Sequence, residues 1–217
     1  MSPDPINGTG ALMLLSGGMD STALAAWIRP SATLFIDYGQ RPAAAERRAA
    51  RAVAAELSLP FNELSIDLSI IGSGLLVEDD ASPRASQASP SPEWWPLRNQ
   101  LLCTIAAAWA LKSGLDTVLV ASVAGDGKRH VDGTPEFYEA IDAVTSMQEG
   151  SVRVLAPAVD LEPNELVDLA GVTESVLGWT HSCHRSNVPC AACPGCWKRE
   201  QVLTRLGMLG FGPTATP

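Results

Sequence analysis

The 217-residue chain has no apolar run of about eighteen residues or more, which excludes an ordinary membrane-spanning helix. Its opening, MSPDPINGTG, lacks a basic region followed by an apolar stretch, so neither a signal peptide nor an anchor is expected and the cytoplasm is the default compartment. Basic residues are scarce: 15 Lys and Arg against 24 Asp and Glu leave a net charge of −9. That balance argues against a broad nucleic-acid footprint and favours a small-molecule substrate or a protein partner. There is no Gly-x-x-x-x-Gly-Lys-Ser/Thr run to set a lysine on a terminal phosphate, and no Gly-x-Gly-x-x-Gly dinucleotide fingerprint. No internal repeat occurs. With 46% apolar residues the chain can still bury one good core and carry a small appendage.

What is present alternates. ALMLL (11–15), ATLFID (32–37), FNELSIDL (61–68), TVLVASV (117–123) and VRVLAPAV (152–159) read as strands. Between them STALAAWI, PAAAERRAARAVAAEL with Pro42 at N1, LRNQLLCTIAAAWALKSG closed by Gly114, and TPEFYEAIDAVTSM read as helices. Strands separated by helices predict parallel β-α-β units, an α/β Rossmann-like sheet covered on both faces. Ligands in such sheets sit at the carboxyl ends of the strands. The Ser/Pro/Ala-rich stretch EDDASPRASQASPSPEWWP (78–96) reads as a long loop or lid.

The first strand runs into SGGMDST (16–22), a glycine pair flanked by small polar residues before a helix. Such a loop exposes backbone N–H groups beside the positive end of the helix dipole and suits an anion. Asp20 has two open readings, a ligand of magnesium or a helix N-cap; Ser21 is the other cap candidate.

Four of the five cysteines lie in CHRSNVPCAACPGC (183–196), where Cys183, Cys190, Cys193 and Cys196 are spaced C-x6-C-x2-C-x2-C. Four thiolates this close can close a tetrahedral zinc site. Disulfides, a C-x-x-C redox pair and an iron–sulfur cluster are the competing readings. Cys103 reads as a small core residue, and His181 and His184 as substitute ligands or partly exposed bystanders.

SGGMDS resembles the pyrophosphate loop of the N-type ATP pyrophosphatase (PP-loop) superfamily. Together with DYGQR (37–41), Arg98-Asn99, Pro135-Glu136-Phe137 and the terminal cysteines, the chain resembles the 7-cyano-7-deazaguanine synthase (QueC) family from about Leu12 to Arg199. The resemblance implies an adenine nucleotide alpha hydrolase-like domain over residues 1–172 and a small helical zinc-binding region over 173–217. It implies an enzyme using ATP, Mg2+ and Zn2+ to adenylate 7-carboxy-7-deazaguanine, let ammonia displace AMP, and activate the amide oxygen again to leave a nitrile. On this pattern Ser16, Gly17, Gly18, Asp20, Ser21, Thr22, Gln40, Arg41 and Arg98 hold the nucleotide. Asp20, Arg98 and Lys128 are the catalytic candidates; Asp132, Arg129 and His130 are the base-binding ones. A homodimer is compatible with this pattern. Arg98 is otherwise an ordinary surface arginine, and Asp132 otherwise a cap for the helix near Pro135.

Two stretches depart from the family pattern. HVDGTPEF (130–137) has Gly133 and Thr134 in place of Cys and Arg, and DLEPNELVDLA (160–170) has Pro163 where a lysine is usual. A missing cation weakens stabilisation of charge on the transferred phosphate, so a poor second activation is expected, with Lys128 and Arg129 as compensating cations. The departures leave room for a paralogue that passes the acyl group to a protein amine, as in bacterial antiphage (type IV CBASS-like) systems. A tRNA-thiolating PP-loop enzyme and a non-catalytic nucleotide-binding zinc module are further alternatives, the first disfavoured by the acidic charge.

Overall fold

The computed structural model describes residues 8–77, 89 and 91–208. Five parallel strands, β1 (Ala11–Leu14), β2 (Ala32–Asp37), β3 (Phe61–Ser65), β4 (Thr117–Leu119) and β5 (Arg153–Leu155), form a sheet of order β3-β2-β1-β4-β5. The connecting helices are α1 (Met19–Ile28), α2 (Ala43–Glu56), α3 (Arg98–Lys112), the short α4 (Asp126–Arg129) and α5 (Pro135–Ser146). After β5 come α6 (Pro163–Ala170), α7 (Glu174–Gly178) and α8 (Pro194–Arg205). All five expected strands are present; β2 matches its apolar run and the other four are shorter than the runs that signalled them.

Successive residues of a strand point to opposite faces, and β1 feeds two cores by that rule. Met13 joins Phe35, Leu24 and Val53 under α1 and α2. Leu12 joins Leu34, Val118, Val154 and Ala106 under α3 and α5. The expected two-faced cover is therefore what forms. Leu177, Val202 and Leu203 from the C-terminal helices belong to the first of these cores, so the cysteine-bearing segment packs onto the sheet.

Local signals resolve differently in places. Pro42 occupies the N-cap position of α2, one residue before the expected N1. Neither Asp20 nor Ser21 caps α1; the N-cap is Gly18 and no side chain caps it. Thr134, and not Asp132, caps α5, its Oγ1 accepting from the Phe137 N–H at 3.2 Å. Of the 78–96 stretch, 78–88 and 90 lie outside the described residues, and 91–96 packs inward: Trp95 is buried edge-on to Tyr38 with ring centroids 5.0 Å apart. No helix among the described residues is long and apolar enough to cross a membrane.

Candidate active site

The chain reverses direction of winding between β1 and β4, and a cavity of about 350 Å3 opens there at the carboxyl ends of the strands. Leu14, Leu34, Leu102 and Val120 give it apolar walls, and the loop after β1 gives it a polar floor. In that loop Gly17 has φ +77°, and a Cβ there would stand 2.6 Å from the Ala50 nitrogen and 2.9 Å from the Glu46 carbonyl oxygen. Only glycine allows α2 to pack so closely. Ser16 Oγ accepts from the Gly18 N–H at 3.2 Å and lies 3.0 Å from Ser21 Oγ, which donates to the Gly18 carbonyl at 3.1 Å. Because no side chain caps α1, its first-turn N–H groups and dipole end remain for an anion.

Asp20, in the first turn of α1, accepts from Lys198 Nζ at 2.8 Å through Oδ2, while its buried Oδ1 has no partner among the described residues. The same ammonium reaches Asp126 Oδ1 at 3.4 Å. Asp126 Oδ2 in turn accepts from the Val123 N–H at 3.1 Å. Burial raises the Asp20 carboxyl, and the Lys198 charge opposes that rise without cancelling it. For Lys198, burial favours the neutral amine, but the two carboxylates outweigh it and hold the ammonium charged. Two carboxylates and one cation thus meet at the mouth of the glycine loop.

A second polar group lines the same cavity. Arg98 opens α3 and lies among Tyr38, Glu46, Asp132 and Glu93, which keep its guanidinium charged against the cost of burial. Glu46 accepts from Gln40 Nε2 at 2.8 Å, and burial pushes its carboxyl up to about 7. Glu93 Oε1 accepts from Arg129 Nη2 and lies 3.3 Å from His130 Nε2. Burial would raise Glu93, but bonding from His130 and its own backbone, with the Arg129 charge, pulls it down to about 2.

Of the sequence-predicted residues, Ser16, Gly18, Asp20, Ser21, Gln40, Arg98, Arg129 and His130 line this one cavity. Gly17 shapes the loop from behind, and Thr22 is buried inside α1. Arg41, Lys128 and Asp132 are not among the lining residues. Lys128 is exposed on α4. Asp132 is engaged elsewhere: its Oδ2 accepts from the Asn99 N–H at 3.2 Å and its carbonyl from Asn99 Nδ2 at 2.7 Å, so it caps α3. The loop carrying Asp132 is thereby fastened to the helix that carries Arg98.

Lys198, Asp126, Glu46 and Glu93 were not anticipated. Only one signal pointed to any of them, the position of Lys198 two residues after Cys196, on the first turns of the helix that the cysteines start.

The cysteines converge. The Sγ atoms of Cys183, Cys190, Cys193 and Cys196 lie within 4.8 Å of one another, all free, with Cys190 and Cys196 3.9 Å apart. A tetrahedron of sulfurs about 2.3 Å from one metal ion has edges of about 3.8 Å, so the four thiols fit a single ion. The disulfide reading does not hold. Backbone N–H groups of His184 and Cys196 donate to Cys193 Sγ at 3.4 and 3.5 Å. His181 is buried and His184 half-buried, both outside the ligand set: the His181 backbone N–H donates to the Gly17 carbonyl at 2.9 Å, and His184 lines the cavity. The segment leading into the cluster therefore touches the glycine loop directly. Asn187 strengthens that contact, its Oδ1 accepting from the Ala45 N–H at 2.7 Å in the first turn of α2.

A parallel sheet with a capless glycine loop at its switch point, flanked by Asp20 and a cation, defines an ATP-using protein of the PP-loop class. The family model for the queuosine biosynthesis protein QueC matches residues 10–207, and the chain belongs to that family. It is 30% identical to the 7-cyano-7-deazaguanine synthase of Koribacter versatilis over 94% of this chain and 93% of that one. It is 31% identical to the synthase of Stenotrophomonas maltophilia over 91% and 96%. Among solved structures, the U34-tRNA thiolase NcsA of Methanococcus maripaludis with its 4Fe–4S cluster aligns over 97% of this chain and 71% of that one, at a TM-score of 0.48 and 14% identity. At that score the alignment has no bearing on function.

Proposed function

We propose that the chain adenylates the carboxylate of 7-carboxy-7-deazaguanine and carries it through an amide to the nitrile, with ATP as the activating substrate. The observation that carries this reading is the junction of Asp20, Lys198 and Asp126 at the mouth of a glycine loop whose first-turn N–H groups have no side-chain cap. A carboxylate is a poor electrophile, and joining its oxygen to AMP makes that oxygen a leaving group. The substrate oxygen attacks the α-phosphorus, the bond to the β-bridging oxygen breaks, and pyrophosphate departs. The α1 N–H groups, Ser16 and Ser21 bind the departing pyrophosphate, and the apolar walls keep water from competing. Ammonia then attacks the acyl carbon, AMP leaves, and an amide forms with loss of a proton. In the second round the amide oxygen attacks α-phosphorus; loss of AMP and the two N–H protons leaves C≡N.

Magnesium, when bound, neutralises phosphate charge, and Asp20 and Asp126 are the residues that would hold it; the unpartnered Asp20 Oδ1 suits a cation. Lys198 supplies the fixed positive charge that Pro163 does not. Pro163 instead occupies the first turn of α6, behind a capping box of Glu162 and Glu165. A cation at the loop supports the second activation, in which the amide oxygen is a weak nucleophile. Zinc is the ion we assign to the four thiols, as a structural site that fixes α8 and with it Lys198; an iron–sulfur cluster spreads its cysteine sulfurs over two or more irons and would hold them further apart. On this reading residues 1–172 carry the ATP chemistry and 173–217 the metal-fixed cover.

One observation favours transfer to a protein amine as a second reading: Gly133, a departure from the family pattern, lines the cavity and leaves it without a side chain there. Pyrophosphate exchange tests the primary reading. Labelled pyrophosphate should enter ATP only when 7-carboxy-7-deazaguanine is present; release of ADP and phosphate would contradict it.

A further inference from the structure

The proposed substrate has a guanine-like edge, a ring N–H beside an exocyclic amine, and burying such donors requires an acceptor in the cavity. Asp132 does not offer one, because Asn99 already occupies its Oδ2 and it lies off the lining. Glu93 does. It lines the cavity, is 3% exposed, and is held in one orientation by Arg129 and His130, both bonded to the same oxygen, Oε1. The other oxygen, Oε2, is buried and has no partner among the described residues. A carboxylate oxygen carries two lone pairs and no proton when ionised, so it accepts from two adjacent N–H groups and from nothing that lacks them. The clamp on Oε1 also keeps the group ionised, well below the ordinary carboxylate range.

Resting on the substrate reading above, we propose that Glu93 is the specificity-determining residue for the base, Oε2 accepting from the N–H edge of a 2-amino-pyrimidinone ring while Arg129 and His130 orient it. Arg129 and His130 are then positioning residues that act through Glu93, and Asp132 holds α3 in place. Discrimination follows from unmet pairing: a base without the exocyclic amine leaves a buried charged acceptor partly unsatisfied.

Calorimetry tests this with two ligands, 7-carboxy-7-deazaguanine and its analogue lacking the 2-amino group, on the wild type and Glu93→Gln. The wild type should favour the aminated ligand by about 10²-fold or more. In Glu93→Gln that ratio should fall by at least about tenfold, with ATP affinity unchanged. A residue that only braces Arg129 would leave the ratio intact, and that result overturns the assignment while the substrate reading stands. A wild type that binds neither ligand overturns the substrate reading, and the assignment with it. Should Glu93→Gln fail to fold because Arg129 is left unpaired, the double variant Glu93→Gln/Arg129→Gln removes both charges together and is read by the same ratio.

Discussion

The two ends of the cavity are built in opposite ways. At the glycine loop, Ser16 to Ser21 are consecutive, and the anion site is made mostly of backbone: N–H groups, a helix end, and a Gly17 that no Cβ could replace. At the far end Glu93, Arg129 and His130 come from two segments more than 30 residues apart, and the site exists only as side chains. The first end is specified by local chemistry and suits a group common to every ATP. The second is specified by tertiary packing, which leaves it free to vary with the base. Lys198 belongs to neither pattern. It reaches the loop from α8, whose start is set by Cys193, so the backbone-built end depends on a residue 178 positions away.

Breaking that long-range dependence should give the largest effects. Cys193→Ser, or removal of metal by a chelator, should lower stability by about 3 kcal/mol or more, read as a melting temperature reduced by roughly 6–12 °C. Elemental analysis should find one zinc per chain, and a visible cluster-like spectrum would contradict the assignment. Lys198→Ala should reduce turnover by about 10²–10³-fold, with a stability loss of about 1 kcal/mol or less, since the ammonium is partly solvated. Lys128→Ala, at the exposed position, should change neither; an equal loss in both variants would undo the distinction.

The pH dependence sharpens the contrast between the buried carboxyls. Glu46 has a folded-state value of about 7, above its unfolded value of 4.5, so its contribution to stability is full below about pH 4.5 and is lost as pH rises through 7. Glu93, held at about 2, contributes above pH 4.5 and loses that only as pH falls through 2. Between pH 5 and 8 Glu46 and the raised Asp20 therefore pull the melting temperature down, while His184, which burial holds down at about 4, pulls it up below about pH 6.5; Glu46→Gln should make the slope of melting temperature against pH more positive than in the wild type. An unchanged slope would remove Glu46 from the account. A small effect, confined to stability, is expected at Asp132. Asp132→Ala should cost about 1 kcal/mol as a lost cap on α3, roughly 2–4 °C, and leave affinity for the base intact.

The parts of this molecule that could be read in the sequence are those whose cause is local. Strand and helix alternation yields the sheet because the apolar runs of β1, β2 and β4 are buried within it, while the edge strands β3 and β5 are only partly covered. The SGGMDS loop and the four cysteines each lie within one short stretch, so the loop after β1 and the thiol cluster are visible in their spacing. Asp20 was the exception within the loop: an aspartate in a first turn reads equally as a cap, and only the structure, with Gly18 at the N-cap and Asp20 paired to Lys198, removes the cap reading. The base end was illegible for the opposite reason. Asp132 and Glu93 are both acidic residues in polar stretches, and which one reaches the cavity is decided by Asn99 taking the first and by Trp95 packing on Tyr38 beside the second. On the proposed reading the charge that Pro163 lacks comes from Lys198, on a helix remote in sequence.

The central claim is that a substrate carboxylate oxygen attacks the α-phosphorus of ATP at the loop holding Asp20. Its most direct test supplies 7-carboxy-7-deazaguanine labelled with oxygen-18 in both carboxylate positions, together with ATP, magnesium and ammonium, and follows the label by mass spectrometry. The account predicts AMP carrying one oxygen-18, with two such AMP molecules formed for each nitrile and one for each amide if the reaction stops there. Unlabelled AMP, or ADP in its place, would contradict it.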